Sequence, residues 1–332
     1  MTDSAFPQEA DLADLSVTAT ASSTASSPLA QVRWLVGRMA IATLILMAIG
    51  SATRVMNAGL ACPDWPLCYG TLIPSQQMNF QVFLEWFHRL DASLIGLMAI
   101  ALVGLSGWHR RHLPSWLPWA AVLALGLVIA QGILGGLTVT EMLRFDIVTA
   151  HLGTALLFFT TLLVIGTRLM PYQGTGVVGR LPGLGLSAAI LVYLQSLLGG
   201  LVASRWSVHQ CLGQSQLCVV VNSHILGVLP PTLTILALLW LVWRTPALSA
   251  QLRRLANLAS LFLMLQILLG ISTLWLHLQI ELLTVAHQTV GAALLGTLVS
   301  FTVLAWRDRQ AAQQNNQIPT DQEIRTTLST SC

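Results

Sequence analysis

Long apolar stretches separated by short polar ones run through this chain from about residue 37 to residue 306. Eight are long enough to cross a bilayer at ~20 residues each, near 37–57, 81–107, 115–138, 147–168, 183–203, 220–243, 255–276 and 283–306. The pattern predicts an all-α polytopic membrane protein with eight transmembrane helices. Composition agrees: 55% of residues are hydrophobic and 9% charged, which excludes an ordinary soluble domain. Residues 1–33 begin with a Ser/Thr/Ala-rich run carrying four acids and no base up to residue 30. Such a run cannot bury a core and is expected to be a disordered tail. It has neither the basic start of a secretory signal nor the arginines of a transit peptide. The polar end, 307–332, is expected to be a second disordered tail.

The apolar pattern repeats. His88 and His151 stand 63 residues apart, as do His224 and His287. Val148-Thr149-Ala150-His151 is echoed by Thr284-Val285-Ala286-His287, and Gln131-Gly132-Ile133-Leu134-Gly135 by Gln266-Ile267-Leu268-Leu269-Gly270. The chain therefore divides into two pseudo-symmetric four-helix bundles, 34–170 and 183–306, joined by a Gly/Pro-containing linker at 171–182. An even number of spans per unit gives both copies one orientation. Gly135, Gly136, Gly199 and Gly200 are small residues expected to let helices approach closely.

Charge fixes that orientation. All sixteen basic residues are arginine, and twelve of them fall on one side of the eight-span map. Arg54, Arg144 and Arg205 fall on or near the other side, and Arg89 lies within a span. The positive-inside rule puts both termini in the cytoplasm, in what reads as a bacterial plasma membrane. The arginines form short groups at span ends, not a nucleic-acid-binding patch. With this topology all four histidines lie within the first turns of outward-starting spans, at one depth near the outer face.

Four of the five cysteines form close pairs, Cys62 with Cys68 and Cys211 with Cys218, both in outward loops. Disulfides suit an oxidising compartment better than zinc does, since no loop histidine except His209 adds to either pair. Cys332 is left over.

An ionisable side chain inside a span is costly and marks a functional site by default. A single intramembrane histidine can simply bond a neighbouring helix. Four at duplicated positions point to ligands. Two imidazoles per bundle, on helices running the same way, suit a porphyrin held edge-on between them, whereas zinc wants three or four converging ligands. His109 and His112 flank an arginine pair in an inward loop and are expected to be solvated, and His209 and His277 lie in or beside outer loops.

The halves differ at one point. Glu85 precedes His88 by three residues and shares its helix face, while the second half has Val221-Asn222-Ser223-His224. The carboxylate is placed either for chemistry at a porphyrin rim or for a plain ion pair with Arg89 at i,i+4. Arg54 and Arg89 are candidates for pairing with heme propionates.

The run Gly50-Ser51-Ala52-Thr53-Arg54-Val55-Met56-Asn57-Ala58-Gly59-Leu60-Ala61-Cys62-Pro63-Asp64-Trp65-Pro66-Leu67-Cys68-Tyr69-Gly70 closely resembles the first outer loop of heme A synthases. Glu85-Trp86-Phe87-His88-Arg89, the Gln131–Val139 run and the contexts of His151, His224 and His287 follow in that family's order, from about residue 34 to 306. The resemblance implies oxidation of the C8 methyl of heme O to a formyl group, in two steps with water-derived oxygen, to give heme A for terminal oxidases. It implies a substrate heme between His88 and His151 in the first bundle. It implies a heme b cofactor between His224 and His287 in the second, and Glu85 as the catalytic residue. The paired cysteines resemble the family's disulfide-bearing subtype. Heme O synthase upstream and terminal oxidase assembly factors downstream are the partners implied, and homo-oligomerisation is left open. A di-heme b-type electron carrier and a heme transporter are the rival readings.

Overall fold

The computed structural model describes residues 27–203, 216–276 and 279–315. Its helices are α1 (Pro28–Val55), α2 (Phe80–Trp108), α3 (Leu117–Thr140), α4 (Phe145–Leu169), α5 (Leu181–Val202), α6 (Gln216–Leu226), α7 (Leu229–Trp243), α8 (Ala250–Trp275) and α9 (Glu281–Asn315). These make eight membrane-length apolar spans, α6 and α7 together forming one, so the chain is a multi-pass membrane protein. Among the described residues there is no named strand.

Three boundaries differ from the sequence reading. The sixth span, expected unbroken over 220–243, divides at Gly227-Val228, before Pro230 and Pro231. Proline lacks an amide proton and its ring collides with the carbonyl one turn earlier, so one straight helix cannot run through the pair. The Gly227 N–H closes α6 on the Ser223 carbonyl at 2.7 Å, and α7 starts with Pro230 in its first turn. At the start, α1 begins at Pro28, inside the segment expected to be a disordered tail. Ser27 caps it through Oγ, which accepts from the Ala30 N–H at 3.3 Å, and Val32 and Val36 are buried. At the other end α9 continues to Asn315 instead of stopping at 306.

Asp308 explains that extension. Its fully buried carboxylate accepts from the Tyr172 hydroxyl at 2.7 Å, the Thr175 N–H at 2.9 Å and the Gly176 N–H at 2.6 Å. The loop between α4 and α5 is thus tied to the last helix. Gly176 turns there at φ 77°, a backbone that favours glycine. Burial, with Asp308 close by, pushes the Tyr172 hydroxyl above its ordinary pKa, so it stays a hydrogen-bond donor.

Helices α1, α2, α3 and α4 each pack on the next, with α4 closing back on α1. Helices α5, α7, α8 and α9 close a second ring in the same way, with α6 against α5. The rings meet where α4 and α1 touch α9 and where α4 touches α5. Small residues permit the last contact. A Cβ on Gly153 would come 2.9 Å from Leu197 Cδ2, and one on Gly200 would come 2.9 Å from Leu152 Cδ2. Helix α9 is the most enclosed span, with Leu295, Leu298 and Phe301 buried at the seam.

Candidate functional site

His88 on α2 and His151 on α4 belong to opposite members of the first ring of helices. In the second half His224 lies on α6 and His287 on α9, both of which pack on α5. Each half of the structure thus carries two of the four sequence-predicted histidines.

What lies under each histidine was not read from the sequence. Each ring packs against a glycine on the preceding span. A Cβ at Gly50 would fall 2.8 Å from His88 Cε1, at Gly135 3.5 Å from His151 Cε1, and at Gly199 and Gly270 3.0 Å from the Cε1 of His224 and His287. An alanine would crowd three of the four rings outright. The Nδ1 atoms of His88, His151 and His287 are buried and make no hydrogen bond among the described residues. Among the described residues no group of three or more His, Cys, Asp or Glu side chains converges on a metal position. Two imidazoles per half, with buried ring nitrogens left unpartnered on His88, His151 and His287, suit the ligand set of a metalloporphyrin. His88 with His151, and His224 with His287, are the residues that would hold it.

The first pair carries extra chemistry. Glu85 is 4% exposed. Its Oε1 meets Arg89 Nη2 at 2.5 Å and its Oε2 accepts from the Cys62 N–H at 2.8 Å. Arg89 donates onward to the carbonyls of Asp64 at 2.7 Å, Leu67 at 2.5 Å and Cys62 at 3.4 Å. The ion pair weighed from sequence is present, and together the two residues clamp the loop after α1. That loop is closed by a Cys62–Cys68 disulfide, with both cysteines buried. Tyr69 and Gly70, at φ 54° and 69°, make a two-residue reversal between Cys68 and Thr71. Asp64 caps it, accepting from the Tyr69 N–H at 2.6 Å and the Gly70 N–H at 2.8 Å. The Gly70 amide above all, then Tyr69 and the Arg89 charge, hold the Asp64 carboxyl below its usual pKa. Trp65 lays its ring on Gly136 of α3, where an added Cβ would come 3.2 Å from Cδ2. The loop is a lid over the first ring of helices. Cys211 and the side chain of Cys218, the other expected pair, lie outside the described residues, as do Arg205, His209 and His277.

Arg54, unlike Arg89, has no carboxylate partner among the described residues. Its Nη2 lies 3.5 Å from the Gln288 carbonyl oxygen, which also accepts from the Ser51 hydroxyl at 3.0 Å. Arg54 lines a cavity of about 650 Å³ together with Asn57, Leu60, Arg144, Phe145 and Val148. Asn57, Met142 and Leu143 on its wall hold positive φ, a conformation that L residues adopt at a cost.

Residues 32–299 match the COX15-CtaA model, described as cytochrome oxidase assembly protein. The chain belongs to that family. Proteins named heme A synthase resemble this COX15-CtaA chain over most of their lengths. The one from Shewanella oneidensis is 28% identical over 326 residues, covering 83% of this chain and 97% of the relative. That from Caulobacter vibrioides is 29% identical over 345 residues, 86% and 97%. That from Novosphingobium aromaticivorans is 26% identical over 333 residues, 82% and 94%. The family match spans both histidine pairs and the Cys62–Cys68 loop of this COX15-CtaA protein.

Proposed function

We propose that this protein is a heme A synthase, an oxidoreductase that converts the C8 methyl of heme O to a formyl group. The observation that carries the reading is the unequal duplication: two histidine pairs over matched glycines, with a buried carboxylate beside only one of them. His88 and His151 hold the substrate heme O, and His224 and His287 hold a resident heme b. Each of the two oxidations takes an electron pair and two protons from the substrate and water, and a heme b held by His224 and His287 would supply the one-electron redox chemistry this needs.

The chain's own groups handle position and protons. Imidazoles on opposite faces fix the plane of the substrate, so its rim turns within the ring of helices. Glu85, one helical turn from His88, accepts a proton from water-derived oxygen or adds to the electron-poor carbon at the rim. To do so it releases the Cys62 N–H, while Arg89 steadies the other oxygen. Arg54, a cation with only an amide oxygen beside it, pairs with a propionate; Arg89, engaged by Glu85 and three carbonyls, is left as a secondary contact. The lid formed by the disulfide loop and Trp65 excludes bulk water from the reacting edge.

In this reading the protein sits in a bacterial inner membrane with both termini cytoplasmic and the heme sites toward the outer face. It receives heme O from a heme O synthase and delivers heme A to terminal oxidase assembly. Hemes extracted from membranes of cells expressing this chain with a heme O synthase test it. Heme A is expected; heme O and heme b alone, with the protein present and loaded, overturn it in favour of a di-heme carrier.

A further inference from the structure

Each glycine that receives a histidine ring has one residue four positions before it on the same helix, a full turn away. In three spans the residue at this place is glutamine. Gln131, four before Gly135, donates to the His151 carbonyl at 2.7 Å. Gln195, four before Gly199, donates to the His224 carbonyl at 2.7 Å and lies 3.0 Å from the ring nitrogen Nδ1. Gln266, four before Gly270, lies 3.3 Å from His287 Nε2. Two further glycines make room for these amides. A Cβ at Gly227 would stand 2.6 Å from Gln195 Oε1, and one at Gly291 3.1 Å from Gln266 Nε2.

The fourth span breaks the pattern. Four residues before Gly50 stands Leu46, which offers no amide, and His88 makes no side-chain hydrogen bond among the described residues.

We propose that Gln131, Gln195 and Gln266 are positioning residues, Gln131 tying the main chain of His151 and the other two reaching the rings of His224 and His287, and that Leu46 leaves His88 as the one histidine with no such amide, so the first site can exchange its porphyrin. The proposal rests on the reading of the two histidine pairs as heme sites and goes beyond it by dividing them into holding and releasing ligands. Groups that orient a ligand from behind set how long the metal stays. A second half tied at both histidines retains its heme through turnover. A first half tied only at His151 can let go on the His88 side, where the ring need only turn away from Gly50.

The test uses the full-length purified protein and a heme-scavenging apoprotein in excess. Gln195→Met and Gln266→Met keep side-chain length and remove the amide. Each is expected to lose heme b to the scavenger about 10-fold faster or more, with shifted low-spin electron paramagnetic resonance g-values. Leu46→Gln adds an amide where none exists and should slow release of porphyrin from the first site by about the same factor. It is also expected to yield protein that keeps a second heme through purification. Unchanged rates and g-values in both Met variants, with heme lost in His224→Ala, overturn the proposal and leave the heme reading standing. Unchanged heme in His224→Ala overturns the heme reading itself. A release rate unaltered by Leu46→Gln in folded, loaded protein refutes the assignment of His88 as the releasing ligand, whatever the Met variants show.

Discussion

In the first half of the molecule the residue three before the α2 histidine is Glu85 and the residue after it is Arg89; in the second half the same places hold Val221 and Ile225. The first half ties its acid and base to a disulfide loop that folds over the helices. In the second half the corresponding span is broken at Gly227-Val228, and Gln195 holds its histidine through both the main chain and the ring. The duplicated parts are the histidines and the glycines beneath them. The parts that differ are the buried Glu85–Arg89 pair, the disulfide loop it clamps and the glutamine contacts of the histidines. A binding scaffold can be copied wholesale, whereas reactivity needs a polar group buried at some cost, and that group occurs in one copy only.

The sharpest way to break this comparison is Glu85→Gln, which keeps shape but removes the base. Heme A formation is expected to fall by about 100-fold or more, with heme O or its alcohol accumulating and heme b retained. Extraction of membrane hemes decides it. Output close to wild type would reduce Glu85 to a clamp for the loop and make the halves chemically equivalent.

The histidines divide the halves by retention instead of reactivity. His224→Ala and His287→Ala should each remove most of the low-spin b-type absorbance of purified protein. His88→Ala and His151→Ala should spare it while ending heme A production. Equal loss in all four would favour the di-heme carrier.

A subtler probe enters through the glycines. Gly50→Ala pushes a methyl against His88 where 2.8 Å is available, while Gly135→Ala meets His151 at 3.5 Å, an ordinary contact. Alanine at 50 should lower turnover about 10-fold with the b-type spectrum unchanged, and alanine at 135 should do little. Similar losses from both would show that close packing of the ring is not what Gly50 provides.

Much of this was legible beforehand because it is periodic. Eight apolar runs, the 63-residue histidine spacing and the Cys62–Cys68 pair are one-dimensional patterns, and the structure follows them. Contacts between distant spans have no such period. Gly50 under His88, Leu46 in the place of a glutamine, and Gln288 reaching Ser51 and Arg54 across the seam depend on how helices rotate against each other. The Gln195–Gly199 spacing, the same as that of Gln131–Gly135 and Gln266–Gly270, was the one signal in the sequence that could have exposed the tether. The extension of α9 was hidden for another reason: Asp308 reads as a tail residue until Thr175 and Gly176 are seen to donate to it.

That extension is a test of the seam at the end of α9 away from the histidine pairs. Asp308→Ala strips the acceptor from two main-chain amides and the Tyr172 hydroxyl, a loss of about 2 kcal/mol or more. Thermal unfolding in detergent should shift down while heme b content at the start of the scan stays unchanged. Loss of heme without loss of stability would mean that the linker reports to the sites after all.

The smallest effect belongs to the lid. Asp64 is held below its usual pKa by the Gly70 and Tyr69 amides and by Arg89, so protonation weakens the fold of the loop. Because its pKa is lower folded than unfolded, its contribution is complete above the ordinary carboxylate range and fades as pH falls through the folded value. Reduction of the buried Cys62–Cys68 disulfide by a phosphine measures how often the loop opens. Relative to Asp64→Asn, in which that carboxylate no longer titrates, the wild-type rate should be low and flat from neutral pH to about pH 5 and should climb toward the variant's only below about pH 4. A constant ratio across that range would show that the Glu85–Arg89 clamp alone keeps the lid shut, and that the first half needs no second polar anchor.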